Sequence, residues 1–372
     1  MSASVPSCSA EAGGASAPIF SLRRGASTGY AARLQAAEPA APLPTEIQIL
    51  GLGAVSRAAV ETAARRHPGV RFTFLSRQPE RHPPFSSTNV STNVAIQGLD
   101  GPSMAPLIFC AAADEASVLR DRVERGLPLE RAAVAPPNLA ILASLLPRLD
   151  LRHRRVVVVT NPVELLCEAL RRWTGATDVY GFGMTSDHDR VLEALRVGFE
   201  LSAHDCRYLD VTGLHFLRPI PAFGRLAPRD VRELERVSPS EIARRLTGYR
   251  SPRSRAGAPD IASTFRALAG AAPQRSTLHQ RLQWLVSAIT ASEFDGSAPP
   301  RARAADNLAS VVSALVEGRT VRLSGLSSGR FVGGALDPRT GRFTVPPLTE
   351  VERELLAADL QQFDQLKRRH LS

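Results

Sequence analysis

Two stretches of this sequence place side chains that could do proton chemistry. GFGMTSDHDR carries Asp187 and Arg190, and VTGLHFLRPIP, further along, carries His215. Residues three apart on one helix are surface neighbours, so Asp187 and Arg190 could face one cleft together. They could equally form a simple intrahelical ion pair, worth on the order of 0.2 to 0.5 kcal/mol. A histidine that follows a strand is either a structural residue or a proton donor and acceptor working near neutral pH. Paired to a carboxylate, it can give a proton to a reacting oxygen and take it back.

A second cluster suits phosphate binding. IQILGLG leads into AVSRAAVETAARR, and the turn between them holds Gly51, Gly53 and Ser56, an imperfect G-x-G-x-x-G. In that motif the first glycine permits the tight turn, and the second lets backbone amides approach a pyrophosphate at the helix N-terminus. A strand before it and a helix after it are the context the motif requires. A purely structural turn would also use two glycines. The next strand, FTFL, ends in Ser76 and Arg77 instead of the acid that would bond the ribose hydroxyls of NAD. A small hydroxyl followed by a guanidinium suits a 2′-phosphate, although Arg77 could be a solvated loop residue.

The elements needed to hold these groups follow from periodicity. IQIL, FTFL, LIFC and VVVVT are short apolar runs separated by longer helical stretches, one of them reaching Leu149. Strands alternating with helices predict a parallel sheet covered on both faces, with the Val run as a buried central strand. The first 44 or so residues, rich in Ala, Ser, Gly and Pro and ending in APLP, read as a disordered tail. Ser21 to Gln35, with three arginines and no acid, gives a faint resemblance to an organelle targeting segment.

The TNP that ends VVVVTNP, together with the G-x-G-x-x-x-D-x-x-R pattern of GFGMTSDHDR, resembles the lactate/malate dehydrogenase family. That resemblance implies an α/β fold: a Rossmann-type parallel-sheet domain over 45–182, then an α+β substrate and catalytic domain over 183–372. It implies that Asn161 positions substrate and nicotinamide, Asp187 orients the catalytic histidine, and Arg190 grips a substrate carboxylate. His215 stands where the family has its proton donor and acceptor, although Leu214 and Phe216 replace the usual acid and glycine and predict a more apolar pocket. Counting back from PNLAIL puts the carbonyl-polarising lid arginine at Arg131, with Arg120, Arg122 and Arg125 as alternatives. Ala111, just past LIFC, is placed with the cofactor-binding residues. In the C-terminal half, AADNLASVVSALVEGRTVRLSG resembles the family's pocket helix and following strand, and the end of the chain its closing hairpin and final helix. A Pro- and Arg-rich expansion interrupts the likeness from about Arg250 to Arg303. Asp306 lies where the family presents a small pocket residue; it would either read a polar group on the substrate or cap the helix.

The implied reaction is hydride transfer between NADP(H), with NAD(H) as the other cofactor, and a 2-oxo acid/2-hydroxy acid pair, in a homodimer or homotetramer. A catalytically inactive nucleotide-binding regulatory or scaffold protein of the same fold is the alternative. Composition narrows the partners further. The formal charge is +10 at pH 7, but the arginines are scattered in pairs among acids and form no stripe with aromatics, so no nucleic-acid partner is expected. No apolar run approaches the roughly 18 to 20 residues of a spanning helix, so no membrane segment is expected. The four cysteines match no metal spacing and no disulfide framework, which suggests a reducing, cytoplasmic setting and no metal.

Cofactor choice is testable from this reading alone. A charge-assisted bond from Arg77 to a 2′-phosphate is worth roughly 1.5 to 3 kcal/mol when well formed, and solvent reduces it. The expected result is a preference for NADPH over NADH of about ten- to a hundredfold in kcat/KM, reversed by Ser76→Asp with Arg77→Ala. A wild-type preference for NADH would refute it.

Overall fold

A computed structural model describes residues 42–82, 93–99, 103–113, 131–206, 209–215, 217–271, 276–293 and 301–371, with only the backbone described at 131, 203, 204, 301 and 302. The tail expected over 1–44 lies, up to residue 41, outside the described residues, as do Arg120, Arg122, Arg125 and Phe216.

The apolar run ahead of Gly51 forms β1 (Glu46–Leu50), and the Ala-rich stretch after it forms α1 (Ala54–Arg66). Next come β2 (Arg71–Leu75), β3 (Val94–Gln97), β4 (Leu107–Phe109), α2 (Ala135–Leu145), β5 (Val156–Val158), α3 (Val163–Thr174) and β6 (Val179–Gly181). These strands are mutually parallel in the order β3-β2-β1-β4-β5-β6, the arrangement of a doubly wound dinucleotide-binding sheet. The Val run is the central strand: Val156, Val157 and Val158 are each 0% exposed, and burying such a side chain contributes roughly 1.5 to 3 kcal/mol. Because β1 pairs with β2 on one side and β4 on the other, the strand order reverses between β1 and β4. Ligands bind such sheets in the crevice outside the strand ends at that reversal.

The second half begins with α4 (Gly183–Phe199) and a single turn, α5 (Ala203–Cys206), before the hairpin of β7 (Asp210–Leu214) and β8 (Arg218–Ala222). Four helices follow: α6 (Pro228–Arg236), α7 (Pro239–Arg245), α8 (Ile261–Gly270) and α9 (Leu278–Ser292). The chain closes with α10 (Arg301–Glu317), β9 (Val321–Ser327), β10 (Arg330–Leu336), β11 (Phe343–Thr344) and α11 (Glu350–Leu371). The boundary expected at 182/183 falls between β6 and α4, yet the sheet runs across it. Gly181 pairs antiparallel with Ser324, so β9, β10 and β11 extend the parallel block to nine strands.

Three apolar clusters explain the layering. On one sheet face, α1 and α10 pack together through Ala59, Val60, Ala63, Leu308, Val311 and Leu315. The other face is covered by α2, α3 and α11, including Leu139, Leu166, Leu170 and Phe363. The third cluster joins α4 to α6–α9 through Val191, Leu195, Ile242, Phe265 and Leu285. The 250–303 expansion therefore builds helices against α4. No described helix is long and apolar enough to cross a membrane.

Gly51 has φ +115°, and a Cβ there would lie 2.7 Å from the backbone of Cys110 and Ala111. A Cβ on Gly53 would meet nothing within 4 Å. Gly51→Ala should therefore cost about 2 kcal/mol, while Gly53→Ala stays within about 0.5 kcal/mol. Urea unfolding midpoints measure the difference, and equal shifts would contradict the close approach at Ala111.

Candidate active site

The ends of β1, β4 and β5 converge where the strand order reverses. The Ser56 hydroxyl donates to the carbonyl of Gly51 (2.7 Å) and lies near that of Gly53 (2.9 Å), so this side chain, 1% exposed, ties the turn together. No side chain caps the α1 N-terminus. The Thr160 hydroxyl donates to the Ala111 carbonyl (2.9 Å), joining the ends of β4 and β5. Asn138 spans the same gap, accepting from the Ala113 amide (2.7 Å) and donating to the Asn161 carbonyl (2.6 Å). It is 2% exposed, and its only mark in the sequence is a polar residue inside the apolar PNLAIL. The Asn161–Pro162 peptide is cis, and Asn161 Oδ1 is buried with no hydrogen-bond partner among the described residues.

At the end of β2, Ser76 Oγ accepts from the Gln78 amide and bonds His82 Nε2, each at 3.1 Å. Arg77 is exposed, with no hydrogen bond or ion pair to a described residue. Sequence reasoning passed over His82, which lies beyond the strand and is brought back by the short 3-10 turn Pro79–Arg81.

His215 follows β7 directly, and its Nδ1 lies 2.7 Å from Asp187 Oδ2 on α4. An ionised carboxylate only accepts, so Nδ1 carries the proton and donates. The ring packs onto the start of α4: a Cβ at Gly183 would fall 2.1 Å from His215 Cγ. Gly181 has a matching role, since its Cβ would fall 2.3 Å from Val163 on α3. The two glycines of GFG therefore serve close approach, one to a helix and the other to the histidine. The His215 amide donates to Glu164 Oε1 (2.9 Å), which also accepts from the Ser324 hydroxyl (2.7 Å). Glu164 is 0% exposed, and its sequence mark is an acid in the otherwise apolar start VELLCEAL.

Arg190 lies beside Asp187 as the helix spacing requires, its Nη1 3.6 Å from Asp187 Oδ1. Its Nη2 donates to Glu293 Oε2 at 3.0 Å, a partner 103 positions away that sequence reasoning missed. Nε of Arg190 is buried without a partner among the described residues. Glu293 also meets Arg303, which bonds Glu193 (2.9 Å), and Glu193 accepts from the Tyr249 hydroxyl (3.0 Å). Burial works against the charge of Arg303, but Glu293 and Glu193 outweigh it and raise its pKa.

Asp306 corrects an expectation. Helix α10 begins at Arg301, so Asp306 stands in its second turn and cannot cap it. Its side chain is 64% exposed and 3.9 Å from Arg253. The next residue, Asn307, is the one buried against α4, donating to Ser186 Oγ at 3.1 Å. Arg131 opens the 3-10 turn Arg131–Val134 ahead of α2, and its side chain lies outside the described ones. Leu214 is 0% exposed in the core under α3. Burial pushes the thiols of Cys110 and Cys206 up to about 12 and about 11, and that of Cys167 well above the ordinary range, so these three stay protonated and unreactive.

These elements and their order define the fold of the lactate and malate dehydrogenases. Among solved structures, the chain is similar to a lactate dehydrogenase from a Medee basin deep-sea metagenome library (TM-score 0.56, 12% identity, 89% of this chain and 100% of that one). It is similar to the Cryptosporidium parvum lactate dehydrogenase complexed with lactic acid and nicotinamide adenine dinucleotide (TM-score 0.56, 13%, covering 88% and 98%). The Plasmodium falciparum malate dehydrogenase gives a TM-score of 0.56 at 14% identity, covering 88% and 98%. No protein-family model and no curated protein sequence matches the chain. The family resemblance read from TNP and the D-x-x-R helix is thus matched at the level of fold.

Beside Asp187, His188 turns the other way, its Nε2 3.1 Å from the Leu209 carbonyl. Burial, helped by Arg322 and opposed by the Leu209 bond, depresses its pKa from 6.5 to about 4. As pH falls, the unfolded chain takes up this proton first, so stability present above pH 6.5 is lost down to about pH 4. Of a total near 3 kcal/mol, about 2 kcal/mol should be gone by pH 5. Urea unfolding at pH 7 and pH 5 should show that loss in wild type and less of it in His188→Gln. Equal losses would place the acid sensitivity elsewhere.

Proposed function

We propose that this chain is a nicotinamide-dependent dehydrogenase interconverting the carbonyl and alcohol forms of a 2-oxo/2-hydroxy compound. The observation that carries the reading is the 2.7 Å bond between His215 Nδ1 and Asp187, the carboxylate buried and the imidazole partly exposed. A cofactor fit is supported by the unpartnered Asn161 Oδ1 and by the open space around Gly53. Gly51, Gly53, Ser56, Ala111 and Asn161 would hold the dinucleotide, with Ser76 and Arg77 at its adenosine end favouring NADP(H). When bound, that group supplies the hydride.

The protein's own residues manage the proton. With Nδ1–H committed to Asp187, Nε2 of His215 is the nitrogen that gives a proton to the carbonyl oxygen on reduction and takes it back on oxidation. Asp187 holds the ring's orientation and offsets the imidazolium charge when it forms. Glu164 fixes the backbone of His215, and Asn161 Oδ1, buried without a partner among the described residues, is an acceptor still to be used. Arg190 is the proposed contact to the group flanking the carbonyl, Arg131 the lid arginine, and Asp306 a contact at the pocket rim. The proposed setting is a cytoplasmic homodimer or homotetramer.

The engagement of Arg190 by Glu293 favours a second reading, a nucleotide-binding regulatory or scaffold protein without turnover. Dinucleotide binding with no oxidation of NADPH or NADH by any 2-oxo compound would select it. For the enzyme reading, His215→Asn should keep dinucleotide affinity while kcat falls by about 10² to 10⁴. Turnover near wild type, with chemistry rate-limiting, would remove His215 from this role.

A further inference from the structure

Arg190 is the residue whose planar fork would ordinarily take a substrate carboxylate, and in this chain a carboxylate of the protein already sits on it. Glu293 Oε2 accepts from Nη2 at 3.0 Å, with Arg190 5% and Glu293 1% exposed. Glu293 is itself held in place. Its other oxygen meets Arg303, which is 2% exposed and bonded in turn to Glu193. Both Glu293 and Arg303 belong to the expansion between Arg250 and Arg303 that the family resemblance leaves unexplained.

The charges decide what such a site accepts. Among the described residues the connected groups are three carboxylates, Asp187, Glu293 and Glu193, against two guanidiniums, Arg190 and Arg303, with His215 on Asp187 as a third positive group once it is protonated for reduction. A substrate carboxylate at Arg190 would be a fourth negative group against at most three positive ones, in a largely buried chain that a neutral substrate leaves balanced. Swinging Glu293 away would not remove the problem. It would leave Glu293 buried with one guanidinium fewer, and a buried charge that loses its partner is strongly unfavourable. A neutral acceptor such as an ester or amide carbonyl adds no charge and needs only a single donor. The Nε of Arg190, buried and unpartnered among the described residues, is donor capacity still unspent.

Resting on the dehydrogenase reading, we propose that Glu293 is a built-in carboxylate that occupies Arg190, so that the carbonyl reduced here is flanked by a neutral polar group and not by a carboxylate. Glu293 is then a specificity-determining residue placed by α9, on an element separate from the proton-transfer pair.

Two paired probes test this. Steady-state reduction of pyruvate and of methyl pyruvate, the same ketone with its carboxylate esterified, compares charged with neutral substrates. Wild type should favour methyl pyruvate by on the order of a hundredfold in kcat/KM, the scale a buried like charge imposes. Glu293→Gln should shift the ratio toward pyruvate by about tenfold or more. Calorimetric binding of oxamate and oxamide to the NADPH complex repeats the comparison without turnover. Oxamide should bind wild type more tightly, and Glu293→Gln should reverse the order. Wild type that reduces pyruvate as well as its ester, or binds oxamate as tightly as oxamide, would overturn the proposal. So would a folded Glu293→Gln with unchanged ratios. If that variant does not fold, the two wild-type ratios decide alone. Absence of turnover on every carbonyl, with oxamide still preferred, would sink the dehydrogenase reading and leave the Glu293 assignment standing.

Discussion

Asp187 is a carboxylate taken out of water, 3% exposed, and its two oxygens face different partners. Oδ2 accepts from the ring of His215, and Oδ1 faces Arg190. A charge in that position survives only if its donors are held in place, so α4 and the end of β7 are fixed relative to each other. The fixing extends outward. His215 is bound through its amide to Glu164 on α3, and its ring lies against Gly183, where any Cβ would displace it. One buried carboxylate therefore relates the sheet, the helix that follows β6 and the hairpin that carries the histidine.

The next turn of α4 repeats the problem with more charges. Arg190, Glu293 and Arg303 form a buried chain that ends at the partly exposed Glu193 and the Tyr249 hydroxyl. Each member makes sense only through the next, because removing one leaves a desolvated charge unmatched. The Rossmann-type half of the molecule is built from apolar contacts along short strands. The second half is organised as much by charge accounting, and two of the charges in that chain, Glu293 and Arg303, come from the segment after residue 250.

Local pattern made much of the fold readable. The Val run, the glycine turn before α1 and the alternation of strands with helices are signals a few residues long, and each forms the expected element. The strand β3 went unread because it is four residues of only partial burial at the sheet edge, with no alternation to mark it. The cap expected of Asp306 failed because α10 begins a full turn earlier than the apolar period suggests.

The sequence by itself determined the order of the chemical groups. Asn161 after a strand, Asp187 and Arg190 one helical turn apart, and His215 after the next strand are all local placements, set by periods of two and 3.6 residues. Tertiary structure alone decided the partners that neither helix spacing nor motif marks. The bond from Arg190 to Glu293 joins positions 103 apart, and Glu164 meets Ser324 across 160. No periodicity encodes such a pairing. It arises because buried charges must find partners wherever the packing of helices on the sheet brings a donor within reach.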